Sequence, residues 1–163
     1  MQHTTRGEIA HMTSKERVLQ RERDKGRGDA LALASVASEL NGTDLINNED
    51  KIPAWSENAV YTTKHIGYPV QDGGQVFTIL QPHTPAHNPG VRPIDLPAIY
   101  SITHTKKVED AKPYVAPYGT SGLYMMDEVC TKDGQTWRSK IDNNAWTPNA
   151  TGTESLWEVI TDA

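Results

Sequence analysis

A chain of 163 residues with 36% hydrophobic content has the size of one ordinary domain or two very small ones, and it is too thinly apolar for a large buried helical core. Its net charge of −5 is uneven: residues 1–28 carry seven Lys/Arg against four Asp/Glu, the remainder nine against seventeen, so a basic arm precedes an acidic body. The single cysteine, Cys130, excludes an intramolecular disulfide, a zinc ribbon and a CxxC redox centre.

Residues 1–12 have no periodic apolar face, and Met12 is an alternative start. Thr13 and Ser14 are candidate helix caps ahead of "KERVLQRERDK". Gly26 and Gly28 separate this stretch from a second one, where Leu31, Leu33, Val36 and Leu40 form a narrow apolar stripe. Short helices with so thin a stripe are unstable alone, so the stripe is expected to dock on the β region or to form an oligomer contact. The basic arm suits nucleic acid through counterion release, but Glu16, Glu22 and Asp24 interrupt it, and a solvated helix or tail without a nucleic-acid partner is the expectation.

The apolar stretch "GDALALASVASEL" makes a poor secretory signal, because Asp29 interrupts it and the charged stretch before it is long and partly acidic. No run approaches the roughly 18 apolar residues of a membrane span, so neither export by the usual route nor a membrane partner is expected. "NGTDLINNEDKIP" reads as a polar, turn-rich connector leading to Trp55.

Beyond residue 50 the Pro, Gly, Asn and Asp residues come too often for long helices, which favours short strands and turns. Aligning the chain with itself gives a tandem repeat. Tyr61, Val70, "GGQVF", Pro93, Leu96 and "AIY" are followed in the same order by Tyr124, Val129, "DGQTW", Pro148 and "SLW". The glycines of "QDGGQ" and "KDG" predict hairpin turns, since glycine tolerates positive φ. Trp137, Ser139 and Ile141 alternate with Thr136, Arg138 and Lys140, the period of a half-buried strand.

"GQVFTILQPHT" followed by "PIDLPAIY" resembles the small chitin-binding modules of carbohydrate-binding families 5 and 12, which are appended to bacterial chitinases. The second unit matches through Tyr124, Asp127, Val129, Gly134, Trp137, "AWTP" and "SLW". In such modules exposed aromatic rings stack on the apolar C–H faces of sugars. The resemblance therefore implies a carbohydrate-binding role for Trp146, with Tyr124 and Tyr118 as companions, while Trp137 and Trp157 are assigned to the core. A loop aromatic such as Trp146 also serves as a packing or subunit contact, and of the two readings the scaffold contact is the expectation, because a module whose twin has lost its sugar platform is kept for its shape. The first unit departs from the pattern: "AHNPG" has no aromatic residue in the corresponding loop, and residues are inserted between Tyr61 and Val70, so weak or lost sugar binding is expected there.

Other chemistry finds little support. His83 and His87 have the spacing of two helical metal ligands, but Pro85 and Pro89 argue against a helix and no acidic residue completes the motif, so no metal is expected. Asp127 with Glu128, and Glu109 with Asp110, are adjacent pairs that point to opposite faces of an extended chain, unlike a glycosidase acid and base. There is no GxSxG, P-loop or Cys-His constellation, and neither an enzyme nor a cofactor is expected.

The expected fold is mainly β with an N-terminal α-helical segment and two small tandem β-hairpin-based modules. The boundaries are 1–52 for attachment and oligomerisation, 53–101 for the degenerate first module, 102–113 for a charged linker and 114–163 for the second module. A charged helical start, two modules and no catalytic domain also resemble small accessory proteins encoded among the tail-fibre or virion genes of bacteriophages and prophages. The expectation is a non-enzymatic virion protein whose two modules contact a host surface glycan, another virion protein, or both, with the N-terminal region attaching it and its apolar stripe forming a homo-oligomer such as a trimer. The alternative is a soluble accessory protein that binds chitin or peptidoglycan-type polymers.

Overall fold

The computed structural model describes residues 40–161. Leu31, Leu33 and Val36 of the expected docking stripe lie outside them, and Leu40 packs against a cluster of Leu45, Ile46, Ile52 and Val76. Among the described residues the architecture is one short α-helix, several 3-10 turns and two sheets. Helix α1 (Gly42–Asn47) is followed by β1 (Pro69–Asp72), β2 (Gln75–Ile79) and β3 (Tyr100–Ile102), which form a three-stranded sheet in the order β1-β2-β3. Strands β4 (Lys112–Pro113), β5 (Val129–Lys132), β6 (Gln135–Ser139) and β7 (Trp157–Ile160) form a four-stranded sheet in sequential order. Among the described residues no helix is long and apolar enough to cross a membrane.

Each sheet is built on the expected hairpin. Asp72 pairs with Gln75 in one and Lys132 with Gln135 in the other. The central turn residues have φ of 57° and 77° at Gly73 and Gly74, and 52° and 74° at Asp133 and Gly134, the doubly positive turn that matches strand twist. Register makes the repeat exact at several positions. Phe77 and Trp137 face Val70 and Cys130, and Ile79 and Ser139 face Tyr100 and Trp157. Tyr61 exchanges both backbone hydrogen bonds with His83, as Tyr124 does with Asn144. The counterpart of Val70 is thus Cys130 rather than Val129, a shift of one residue from the sequence alignment.

The repeat also begins earlier than its hairpin. The Trp55 amide donates to the Gln71 carbonyl as the Tyr114 amide donates to Thr131, so Trp55 and Tyr114 occupy the same place in their modules.

Alternation decides burial in the second module, where Trp137 and Ser139 are buried and Thr136 and Arg138 partly exposed. In the first module both faces of β2 are covered. Phe77 and Ile79 join Tyr61, Val70 and Tyr100 on one face, and Val76 meets Leu45, Ile46 and Ile52 on the other. The segment read as a polar connector therefore contains a helix with a buried face. Asn41 caps it reciprocally with Asp44: the Asp44 amide donates to Asn41 Oδ1 at 3.0 Å, and the Asn41 amide to Asp44 Oδ2 at 3.4 Å. Six residues are too few to be stable alone, so packing on Val76 holds the helix.

The charged stretch joining the modules is packed as well. Its His104 and Thr105 are buried, the Lys106 amide donates to Thr43 Oγ1 at 2.9 Å, and Lys112 Nζ lies 2.8 Å from Glu49 Oε2. The start of α1 rests on this backbone so closely that a Cβ at Gly42 would lie 2.1 Å from the His104 carbonyl oxygen. Gly42→Ala is accordingly expected to destabilise the fold by about 1–3 kcal/mol, the usual cost of overpacking. A shift of the urea midpoint checks this, and an unchanged midpoint would mean that α1 is not seated on the joining segment.

Candidate functional site

The aromatic residues assigned to a sugar surface separate sharply. Trp146 is 61% exposed, Tyr118 is 67% exposed and Tyr124 is 0% exposed. Tyr124 is therefore corrected from a surface companion to the centre of the second core. Its ring is sandwiched between His104, with centroids 3.6 Å apart, and Tyr114, at 5.6 Å, and Trp157 meets it edge-on at 5.2 Å. Its hydroxyl accepts the Val115 amide at 3.2 Å, and burial pushes its pKa upward. Neighbouring Cys130 is also buried, and its thiol pKa is pushed up to about 12, far from a reactive thiolate. Trp137 and Trp157 are core residues, as expected.

Trp146 sits on a loop whose backbone is fixed from below. Asn144 is fully buried, and its amide Nδ2 donates to Ser139 Oγ at 3.0 Å and to the Leu156 carbonyl at 3.1 Å. Asn144 Oδ1 accepts the Trp146 amide at 3.1 Å. On the other side of the residue, Trp157 Nε1 donates to the Trp146 carbonyl at 2.9 Å. The next carbonyl, that of Thr147, accepts the buried Thr153 hydroxyl at 3.1 Å. Both backbone polar groups of Trp146 are thus satisfied within the protein, and the indole is left facing solvent.

The facing loop carries two half-exposed thioethers, Met125 and Met126. It is tied to the Trp146 loop by the Met126 amide, which donates to Asp142 Oδ1 at 3.0 Å, and by the paired backbone bonds of Tyr124 and Asn144. Glu128, next to Asp127, is held by the Met125 amide at 2.8 Å, and burial raises its pKa. Asp127 is exposed at a turn with φ of 72°, so the two carboxylates do not converge on a common cleft.

Tyr118 belongs to a different place. It lines a groove between the modules together with Ile94, Pro97, Ile102 and Pro117, and no aromatic pairing joins it to Trp146 among the described residues.

The first module has an aromatic ring that the sequence reading used only as a boundary marker. Trp55 is half-buried, its Nε1 donates to the Tyr100 hydroxyl at 2.7 Å, and the Arg92 guanidinium lies 4.9 Å from its ring centroid. Arg92 is itself held by Asp72, with Nε donating to Oδ2 at 3.0 Å. One face of Trp55 is therefore covered by a cation that Asp72 holds in place. The position of Trp55 relative to Tyr114 was the available signal, and it becomes visible only once the strand register is known.

His83 hydrogen-bonds the Tyr100 hydroxyl through Nε2, and its Nδ1 lies 2.8 Å from the Gln81 carbonyl. With Nδ1 as the donor, Nε2 accepts the Tyr100 proton, which completes a relay from Trp55 through Tyr100 to His83. Burial pushes the Tyr100 pKa up to about 12. His87 is exposed on a 3-10 turn, Pro85–His87, away from this relay. Among the described residues there is no group of three or more His, Cys, Asp or Glu side chains able to hold a metal ion.

No protein-family model matches this chain, and a search of the curated proteins finds no significant match to it.

Proposed function

We propose that the protein is a non-enzymatic virion structural and adhesion component whose second module contacts a glycan of the host surface through Trp146. The first module, with α1 packed into it, serves assembly and shape, and the segment ahead of α1 attaches the protein to other virion proteins as a homo-oligomer. One observation carries the sugar reading: Trp146 exposes 61% of its surface while both of its backbone polar groups are bonded inside the protein. A ring displayed in this way loses little conformational freedom on stacking, so more of the contact energy appears as affinity. The opposite treatment of Trp55, covered by Arg92, supports a division of labour between the modules. The virion setting rests on the likeness of the layout to phage accessory proteins.

The test is adsorption of the full chain to insoluble chitin and to purified bacterial cell walls, with mass measured by light scattering. The expected result is depletion by at least one polymer together with an oligomeric mass. A monomer that binds either polymer would favour a soluble accessory protein, and no adsorption to either would sink the glycan role.

A further inference from the structure

The groove between the modules is open and apolar. Ile94, Pro97 and Ile102 of the first module line it together with Val115, Pro117 and Tyr118 of the segment entering the second, and no charged residue takes part. Its deepest contacts, Phe77 and Tyr100, belong to the first core, whereas one residue of each module stands open to solvent: Ile94 is 48% exposed and Tyr118 is 67% exposed. The volume of about 280 Å³ suits a few inserted aliphatic side chains rather than a broad subunit face. An open apolar surface of this kind marks a contact site.

The described chain enters the fold beside this groove. Leu40 packs with Leu45, Ile46, Ile52 and Val76, and Gly42 follows it against the His104 carbonyl oxygen, 2.1 Å from where a Cβ would stand. His104 Nε2 donates in turn to the Gly122 carbonyl at 2.8 Å, next to Ser121 of the groove lining. The two walls meet here, since a Cβ at Gly122 would lie 2.8 Å from Ile102 Cγ2. A single histidine side chain therefore links the point of entry to the end of the groove.

Ahead of Leu40 the longest stretch without a charged residue is "ALALASVAS", residues 30–38, bracketed by Asp29 and Glu39. The steps from Leu40 back to Val36 span at most about 13 Å and those back to Leu31 at most about 30 Å, so the apolar stripe has the reach of the groove without leaving its own chain. Alanine separates the two leucines, which lets the backbone come close to the walls. Neither surface carries an ion to desolvate, so contact leaves no charge buried and unpaired. A segment tethered this closely also acts at high effective concentration, an advantage that a separate chain lacks.

We propose that residues 30–38 fill the groove of their own chain, with Leu31, Leu33 and Val36 covering Ile94 and Tyr118. The docked segment ties the first module to the second, and attachment to other proteins falls to residues 1–29. The inference is independent of the glycan reading.

The test is a nitroxide attached at Ser35→Cys in the 15N-labelled full chain, read as broadening of amide signals; buried Cys130, its thiol pKa pushed up to about 12, stays unlabelled. Broadening is expected at the amides of Ile94, Ile102 and Tyr118. It should be lost in Leu31→Ser, Leu33→Ser and in Ile94→Asp, and retained signal dispersion shows that each variant folds. A mixture of spin-labelled 14N chains with unlabelled 15N chains should show no broadening at the same amides. Unbroadened groove amides in the first sample overturn the proposal. Broadening of equal size in the mixture would assign the groove to the stripe of a second copy and overturn it as well.

Discussion

Tyr124→Ala is expected to destabilise the protein by about 3–5 kcal/mol, the range for truncating a large buried aromatic. Tyr124 is fully buried, and its ring contacts His104, Tyr114 and Trp157 at once. Its removal leaves a cavity between the joining segment and the second core, and the Val115 amide loses its acceptor. Tyr124→Phe keeps the stack and loses only that hydrogen bond, so about 1 kcal/mol is expected. Urea midpoints of the two variants check the pair. A loss under about 1 kcal/mol for Tyr124→Ala would mean that the second core is not organised around this ring.

Acidification is expected to remove up to about 3 kcal/mol of stability through His104 alone. Burial lowers the His104 pKa from 6.5 to about 4, and its Nε2–H donates to the Gly122 carbonyl at 2.8 Å. The unfolded chain takes up the proton near pH 6.5 while the folded chain refuses it until about pH 4. This contribution is therefore complete above pH 6.5 and is lost as pH falls from 6.5 towards 4. Glu128 works the other way: its raised pKa adds stability as it becomes protonated, which softens the acid end. His104→Gln can still donate to Gly122 and does not titrate. Its urea midpoint should fall less than that of the wild type between pH 7.5 and about pH 4.5, and parallel curves would contradict the assignment.

The hairpins were legible because two short-range signals agree: glycine at the turns and a period of two in β6. The identity of the exposed ring was not legible in the same way. Tyr124 and Trp146 both sit in turn-rich stretches, and non-local packing against His104 and Trp157 buries one of them. His104 itself lies in "THTKKVEDAK", whose charges read as a solvated linker. Those charges instead meet partners in the segment 41–53, Lys107 with Asn47 and Lys112 with Glu49, at separations of some sixty residues that no local pattern encodes. Leu45, Ile46 and Ile52 were likewise hidden, because three apolar residues among Asn and Asp make no periodic stripe until Val76 supplies the facing surface.

The most direct test of the account is Trp146→Ala, assayed together for melting temperature, oligomeric mass and adsorption to chitin and cell walls. The indole is exposed and its backbone bonds do not depend on the ring, so stability should change by no more than about 0.5 kcal/mol and the mass should stay the same. Polymer affinity should fall by about 2 kcal/mol or more, roughly 30-fold, as for a truncated aromatic anchor. A variant that loses melting temperature or oligomeric mass while its intact fraction adsorbs as well as the wild type would contradict the account, and would make Trp146 a scaffold contact instead of a sugar platform.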